Sequence, residues 1–365
     1  MPNALAAVAI PSLSEAQAMT TIAASVDSGT TDTQYWDYLA RGAALFEPQF
    51  GSTVGHLGPD ALDLLHRLST NSLLDLEDGE ARRTVLTNEK GRIVDVLWVL
   101  KRSERELLLV SDAPDSAQMQ EDIGRFTIIE DAELDDLTGF LKRWYVVGPD
   151  ATQLISELLP ELDFAYSDVG SIRGMDLVHE GVVLTLRTDA AGPESWLLMV
   201  GQLAVPEVRD RFARLNLQPV SSELFEFVRI ASQEPIAGKE LTEDVNPLEA
   251  GLTHLIDFEK GCYVGQEVIA RLDTYDKVQR SLVGFRVIDD EVGKPTVTPR
   301  DRILGAGRGR DAGWVTSVAR DPETSQLLGM AILRKSYCES DVSLITERGV
   351  PVKLLLDPRR IALKA

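Results

Sequence analysis

Gly58-Pro59-Asp60-Ala61 recurs 90 residues later as Gly148-Pro149-Asp150-Ala151, and the surroundings of the two copies match as well. Each copy follows apolar residues and leads into an apolar helical pattern, with Leu64, Leu65 and Leu68 answered by Leu154, Ile155 and Leu158. Proline suits a first helical turn, where its missing N–H is not needed, and the glycine before it accepts a turn that a side chain would resist. The echo predicts two related α+β subdomains, each built on a strand–turn–helix unit; two copies are too few for a solenoid. At 365 residues the chain has room for that pair and for a further unit, since a single core stops growing below this length.

Between the copies, residues 85–87 and 93–100 read as strands joined by the turn Asn88-Glu89-Lys90-Gly91. Asp95 is the one polar residue among 93–100. An unpaired buried carboxylate is costly, so Asp95 is expected either at an edge facing solvent or held for a partner in a pocket. Residues 106–111 and 126–129 read as further strands, and 115–125 as a helix carrying Met119 and Ile123. After the second copy, 177–178 and 182–187 form a predicted hairpin turning at His179-Glu180-Gly181, 196–200 a strand and 205–215 an amphipathic helix. From Ser281 the texture changes to short strands at 282–288, 313–318, 327–333, 342–346 and 352–356, the spacing of a small β-barrel. Residues 1–33 are rich in Ala, Ser and Thr and predict a flexible tail with one weak helix at 14–24, the folded body beginning near Tyr35-Trp36. The expected organisation is therefore a tail at 1–33, a region at 34–280 built from two α+β subdomains, and a β-barrel domain at 281–365.

Fifty-eight acidic against 37 basic residues leave a formal charge of -21, a field that repels phosphate backbones and argues against direct nucleic-acid binding. An anionic ligand would need a local cluster of Lys and Arg. No apolar run approaches the length of a membrane span. The two cysteines, Cys262 and Cys338, form neither a CxxC pair nor a Cys/His ligand spacing, so no metal site is expected and a reducing compartment is. His56 and His66 lie in periodic apolar segments and read as structural. The first basic residue is Arg41, which predicts a cytoplasmic protein without a leader.

The densest chemistry is Lys260-Gly261-Cys262-Tyr263-Val264-Gly265-Gln266-Glu267, where a cation, a thiol, a phenol, an amide and a carboxylate stand within eight residues punctuated by two glycines. A cation near a thiol favours the reactive thiolate, whereas a lone cysteine is more often buried and inert; Cys338 is read that second way. The octapeptide resembles the K-G-C-Y-x-G-Q-E signature of the YgfZ-type folate-binding proteins, relatives of the glycine-cleavage T-protein associated with iron–sulfur cluster assembly or repair. Leu68 to Asn71, the 87–95 hairpin, Arg187-Thr188, Arg229, residues 247–252 and residues 313–317 resemble further landmarks of that superfamily in the same order.

The resemblance implies an α+β fold of three domains around a central channel for tetrahydrofolate, with a C-terminal β-barrel. It implies Cys262 and Asp95 as the chemically active residues, and Lys260, Tyr263, Gln266, Glu267, Arg229 and Arg271 as folate-binding ones. Reduced folate, and iron–sulfur proteins or their assembly machinery, are the implied partners. The glycine-cleavage branch has Asp, Phe and Lys where this chain has Cys262, Tyr263 and Gln266. It also carries a second acid where this chain has Val96, and an acid that grips the pterin where this chain has Leu197. The expected function is thus a tetrahydrofolate-binding factor supporting iron–sulfur proteins. The alternatives are a tetrahydrofolate-dependent aminomethyltransferase or other one-carbon transferase, and a passive folate binder in which Cys262 only packs.

Overall fold

The computed structural model describes residues 42–48, 51–165, 167–177, 181–189, 194–288, 296–306, 309–322, 324–338 and 342–355. The expected tail, the start at Tyr35-Trp36, the turn residues His179-Glu180 and positions 190–193 lie outside them.

The first sheet contains β2 (Ser52–Leu57), β3 (Ala81–Thr87), β4 (Ile93–Ser103), β5 (Glu106–Ser111) and β6 (Glu133–Asp136), in the order β3-β4-β5-β2-β6. The second contains β1 (Ala44–Phe46), β7 (Leu141–Val147), β8 (Ile172–Leu177), β9 (Gly181–Thr188) and β10 (Ser195–Gly201), in the order β8-β9-β10-β7-β1. The two orders are the same when each strand is matched to its counterpart in the sequence echo. The repeat is therefore structural, with one twist. β1 precedes β2 in the chain but pairs with β7, and β6 precedes β7 but pairs with β2. Each unit has given its first strand to the other's sheet.

The echoed turns hold that exchange in place. Asp60 N–H donates to Asp131 O, just before β6, and Asp150 N–H donates to Gly42 O, just before β1. Gly58 (φ +128°) and Gly148 (φ +133°) bring the backbone so close to these segments that an added Cβ would stand 2.0 Å and 2.3 Å from a carbonyl oxygen. Glycine is required at both positions by conformation and by space.

Helix α1 (Ala61–Leu68) buries Ala61, Leu64, Leu65 and Leu68, one face at helical spacing, as the sequence predicts. With α2 (Ala117–Gly124) it covers the outer face of the first sheet over Val54, Leu97, Val99, Leu107 and Leu109. Helices α3 (Ala151–Leu158) and α4 (Val205–Arg214) cover the outer face of the second sheet over Trp144, Val183, Trp196 and Leu198. The inner faces share a third core, in which Trp98, Leu100, Leu108 and Val110 join Tyr145, Leu184, Leu197 and Met199. Period-two alternation does the sorting: on β10, residues 196, 198 and 200 face the helices while 197 and 199 face the other sheet.

Helix α5 (Ser222–Ala231), capped by Ser221 accepting from Leu224 N–H, closes one side of the inner core and is a helix the sequence pattern did not announce. A 3₁₀ turn (Thr253–Leu255) and α6 (Gln266–Thr274) follow. The chain ends in a closed barrel of β11 (Arg280–Val287), β12 (Arg302–Gly305), β13 (Arg310–Arg320), β14 (Leu327–Arg334), β15 (Leu344–Thr346) and β16 (Pro351–Leu355), in the order β11-β14-β13-β12-β15-β16. The fold is α+β with a C-terminal β-barrel. One predicted strand is absent: residues 126–129 form an exposed turn, with Ile128 and Ile129 82% and 91% exposed. Its apolar run lacks a neighbouring strand edge, because β2 already pairs with β6. No helix among the described residues is long and apolar enough to cross a membrane.

Candidate functional site

The octapeptide docks on the first sheet. Lys260 extends its ammonium to the carbonyls of His66 (2.5 Å), Ser69 (2.7 Å) and Asn71 (2.7 Å), where α1 ends. A cation there satisfies carbonyls that the helix leaves unpaired and complements its dipole. Burial pushes the Lys260 ammonium down to about 8. Tyr263 is buried with Ile256 and Ile269, its ring 5.4 Å from the Lys260 nitrogen. Val264 O accepts from Thr87 Oγ1, and Gly265, at φ +81°, lets the chain press on the β3–β4 turn, where a Cβ would lie 2.5 Å from Asn88 O. Gln266 Nε2 donates to Gly261 O at 3.5 Å. Cys262, Glu267 and Arg271 are exposed.

Asp95 is buried, but away from the inner core. Strand alternation sends residues 95 and 96 to opposite faces of β4: Asp95 lies with Leu97 and Val99 on the helix-covered side, and Val96 packs toward the barrel with Ile332 and Leu255. Asp95 Oδ1 accepts from Ser111 Oγ and from Val96 N–H, both at 2.7 Å. Burial nevertheless pushes its carboxyl up to about 7, the two hydrogen bonds only partly offsetting the loss of water.

Arg229 is 1% exposed and fully engaged. It pairs with Glu226 and with Glu240 (3.0 Å) and reaches Ser317 Oγ on β13, whose own hydroxyl donates to Glu240 Oε1 at 2.6 Å. This network fastens α5 to the barrel, and a register shift between Val315 and Ser317 accompanies it. The three cations expected for an anionic ligand, Lys260, Arg229 and Arg271, are thus not brought together. Leu197, standing where an acid was expected in the transferase branch, is buried in the inner core opposite Tyr145.

What the structure does assemble is a different constellation. A cleft of about 370 Å³ opens on the inner side of the first sheet, lined by Asn71, Leu76, Arg83, Trp98, residues 168–171, Asp189 and His254–Leu255 of the 3₁₀ turn. Arg83 and Trp98 stand directly opposite each other on β3 and β4, each 8% exposed. The Arg83 Nη2 lies 2.8 Å from Glu234 Oε1, in the loop after α5. The two form a buried ion pair, while the buried Trp98 Nε1–H has no acceptor among the described residues. Burial pushes Glu234 up to about 7, against the pull of Arg83. His254 is held below its ordinary value by burial and by Arg83. Deeper in the inner core, Tyr145 donates its hydroxyl to Asp112 at 3.1 Å, burial and the Asp112 charge driving the phenol well above its ordinary value.

Arg83, Trp98, Glu234 and His254 were not among the residues the sequence pattern singled out. Arg83 carried the one available signal, a charged residue at an inward position of β3 between Ala81 and Val85. Glu234 comes from a loop far along the chain, and only the fold brings it there. Among the described residues no three His, Cys, Asp or Glu side chains gather as a metal-ligand set.

A family model described as the GCVT N-terminal domain matches residues 36–260. An aminomethyltransferase from Thermoanaerobacter pseudethanolicus is 25% identical over 328 residues, covering 86% of this chain and 84% of that protein. One from Moorella thermoacetica is 29% identical over 303 residues, covering 80% and 78%. Among solved structures, the glycine cleavage system aminomethyltransferase T from Bartonella henselae superposes with a TM-score of 0.74 at 18% identity, covering 89% of this chain and 88% of that one, which is a likeness of fold.

Proposed function

The chain belongs to the GCVT N-terminal domain family, and from that premise we propose that it binds a reduced folate in the Arg83–Trp98 cleft and serves a tetrahydrofolate-dependent one-carbon transfer. The observation that carries this reading is coverage: relatives named aminomethyltransferase match more than four fifths of the chain and of their own length. Tetrahydrofolate, when bound, supplies the nitrogen atoms that carry the one-carbon unit. The cleft offers what such a ligand needs. The Trp98 ring and Leu76 provide apolar wall, Arg83 a buried cation within a strongly acidic protein, and Asn71, Asp168 and Asp189 polar groups along the same cleft.

Calorimetry with tetrahydrofolate tests the binding, and reconstitution with an aminomethylated carrier protein tests the transfer. Saturable binding with turnover supports the reading; no binding by the intact protein removes it. A second reading, a folate-binding factor for iron–sulfur proteins, rests on one observation: the thiol of Cys262 is exposed in an octapeptide like that of the YgfZ-type branch. It is separated from the first by Cys262→Ser. In the iron–sulfur reading that variant loses support of iron–sulfur enzymes in a strain lacking its own factor while still binding folate. In the transferase reading it keeps its turnover, because Cys262 lies outside the cleft.

A further inference from the structure

Phe126, Ile128 and Ile129 are 41%, 82% and 91% exposed, an apolar group that neither the cores nor the cleft uses. Turns ordinarily carry small and polar residues, so two adjacent exposed isoleucines mark a surface with a use. The turn is built rather than loose. Thr127 N–H donates to Gly124 O at the end of α2. The Glu130 carboxylate accepts from the N–H groups of Ile128 (2.9 Å) and Ile129 (3.1 Å) through one oxygen and from Arg67 (3.1 Å) through the other. The two β-branched side chains therefore have little ordering entropy left to lose on contact. Beside this knob lies a groove of about 400 Å³ with Leu68, Phe126 and Val264 in its wall. Past Phe126 it adjoins a cleft of about 530 Å³ that reaches the β3–β4 turn.

We propose that this face binds a second copy of the chain about a two-fold axis, the Ile128–Ile129 turn of each copy seated in the groove of the other. Two observations select that occupant. The first is shape: a knob and a groove side by side on one surface are what an isologous contact needs, since each copy then gives and receives the same contact. The second is charge. The chain as a whole carries -21, so two copies repel over most of their surfaces, while a basic partner would be drawn to those acidic surfaces instead. Around the groove and the cleft the charges cancel: Arg67, Lys90, Arg92 and Arg125 are matched by Glu89, Asp122, Glu130 and Glu243. An apolar and locally neutral face is where an equally acidic copy can approach. The contact is small, which places its dissociation constant on the order of 10–100 µM. The proposal is independent of the folate reading.

Sedimentation velocity on the full chain, in a concentration series that brackets this constant, should show the mass rising from one chain to two and stopping there. Raising salt should strengthen the association several-fold, because screening removes the repulsion between acidic copies and leaves the apolar contact in place. A contact held by ion pairs would weaken instead. Ile128→Lys and Ile129→Lys, at positions exposed enough to spare the fold, should each weaken the association at least about tenfold. Ile129→Met should keep it, since the side chain stays apolar. Leu203→Lys, at another exposed apolar position, should leave it unchanged. A wild-type chain that stays single at the highest concentration gives the face to another partner or to none, and overturns the proposal. So does association that runs on beyond two copies, that weakens with salt, or that survives in both lysine variants.

Discussion

Three buried ionisable groups make separate demands on the fold. Asp95 keeps its proton to about pH 7 in the folded protein, whereas its ordinary value is 3.8. The folded state therefore holds a proton that the unfolded chain gives up, and the contribution of Asp95 is full below about 4 and lost as pH rises through 7. Urea unfolding of wild type should show a fall in stability between pH 5 and pH 8 to which Asp95 adds on the order of 3 kcal/mol, and Asp95→Asn should remove that share. The same variant should leave folate affinity within about twofold, because Asp95 faces the helices and not the cleft. His56 works in the opposite direction. It is fully buried on β2, neither ring nitrogen has a partner among the described residues, and burial lowers it from 6.5 to about 4. Its contribution is present above 6.5 and lost as pH falls toward 4, about 3 kcal/mol in all. His56→Leu should flatten acid unfolding in that window while costing little at pH 7, and a denaturation series in half-unit steps of pH will read it. Glu234 behaves like Asp95 in sign, so Asp95→Asn alone should leave part of the alkaline slope in place.

Among the elements, the segment from Lys260 to α6 carries its consequence in packing. Lys260 ties the end of α1, Tyr263 fills a small core and Gly265 seats the chain on the β3–β4 turn. Gly265→Ala meets both a positive φ and a Cβ position 2.5 Å from the Asn88 carbonyl. It should destabilise by about 2–3 kcal/mol, measured as a lower denaturation midpoint with unchanged slope. Lys260→Met should cost a comparable amount, because three carbonyls at the end of α1 lose their donor at once. A reactive-loop role for the octapeptide would instead leave stability near wild type in both variants.

At the scale of the whole molecule, the exchange of β1 and β6 couples the two sheets. β2 has an open edge unless β6 arrives, and β7 unless β1 does, so neither unit is complete without the other. The shared inner core adds Trp98 on one side and Leu197 and Met199 on the other. The two α+β units should unfold as one. Native-state hydrogen exchange should return the same opening free energy for central amides of β2 and β7, and distinct values would show that the units open independently.

Part of this was legible in the residues themselves. The 90-residue echo announced two related units because a Gly-Pro pair before an apolar helical face has few other uses, and the run of short strands after Ser281 announced the barrel. Helical and strand periodicity are local, and local pattern suffices to read them. The strand exchange, the choice of which face of β4 meets the helices and the meeting of Arg83 with Glu234 were decided only by tertiary structure. Residues 83 and 234 are brought together by packing α5 between a sheet and a barrel, and the octapeptide's spacing showed a concentration of chemistry without showing that Lys260 and Tyr263 would be spent on anchoring it. A sequence states which groups a chain possesses; which of them are desolvated side by side depends on how distant surfaces meet.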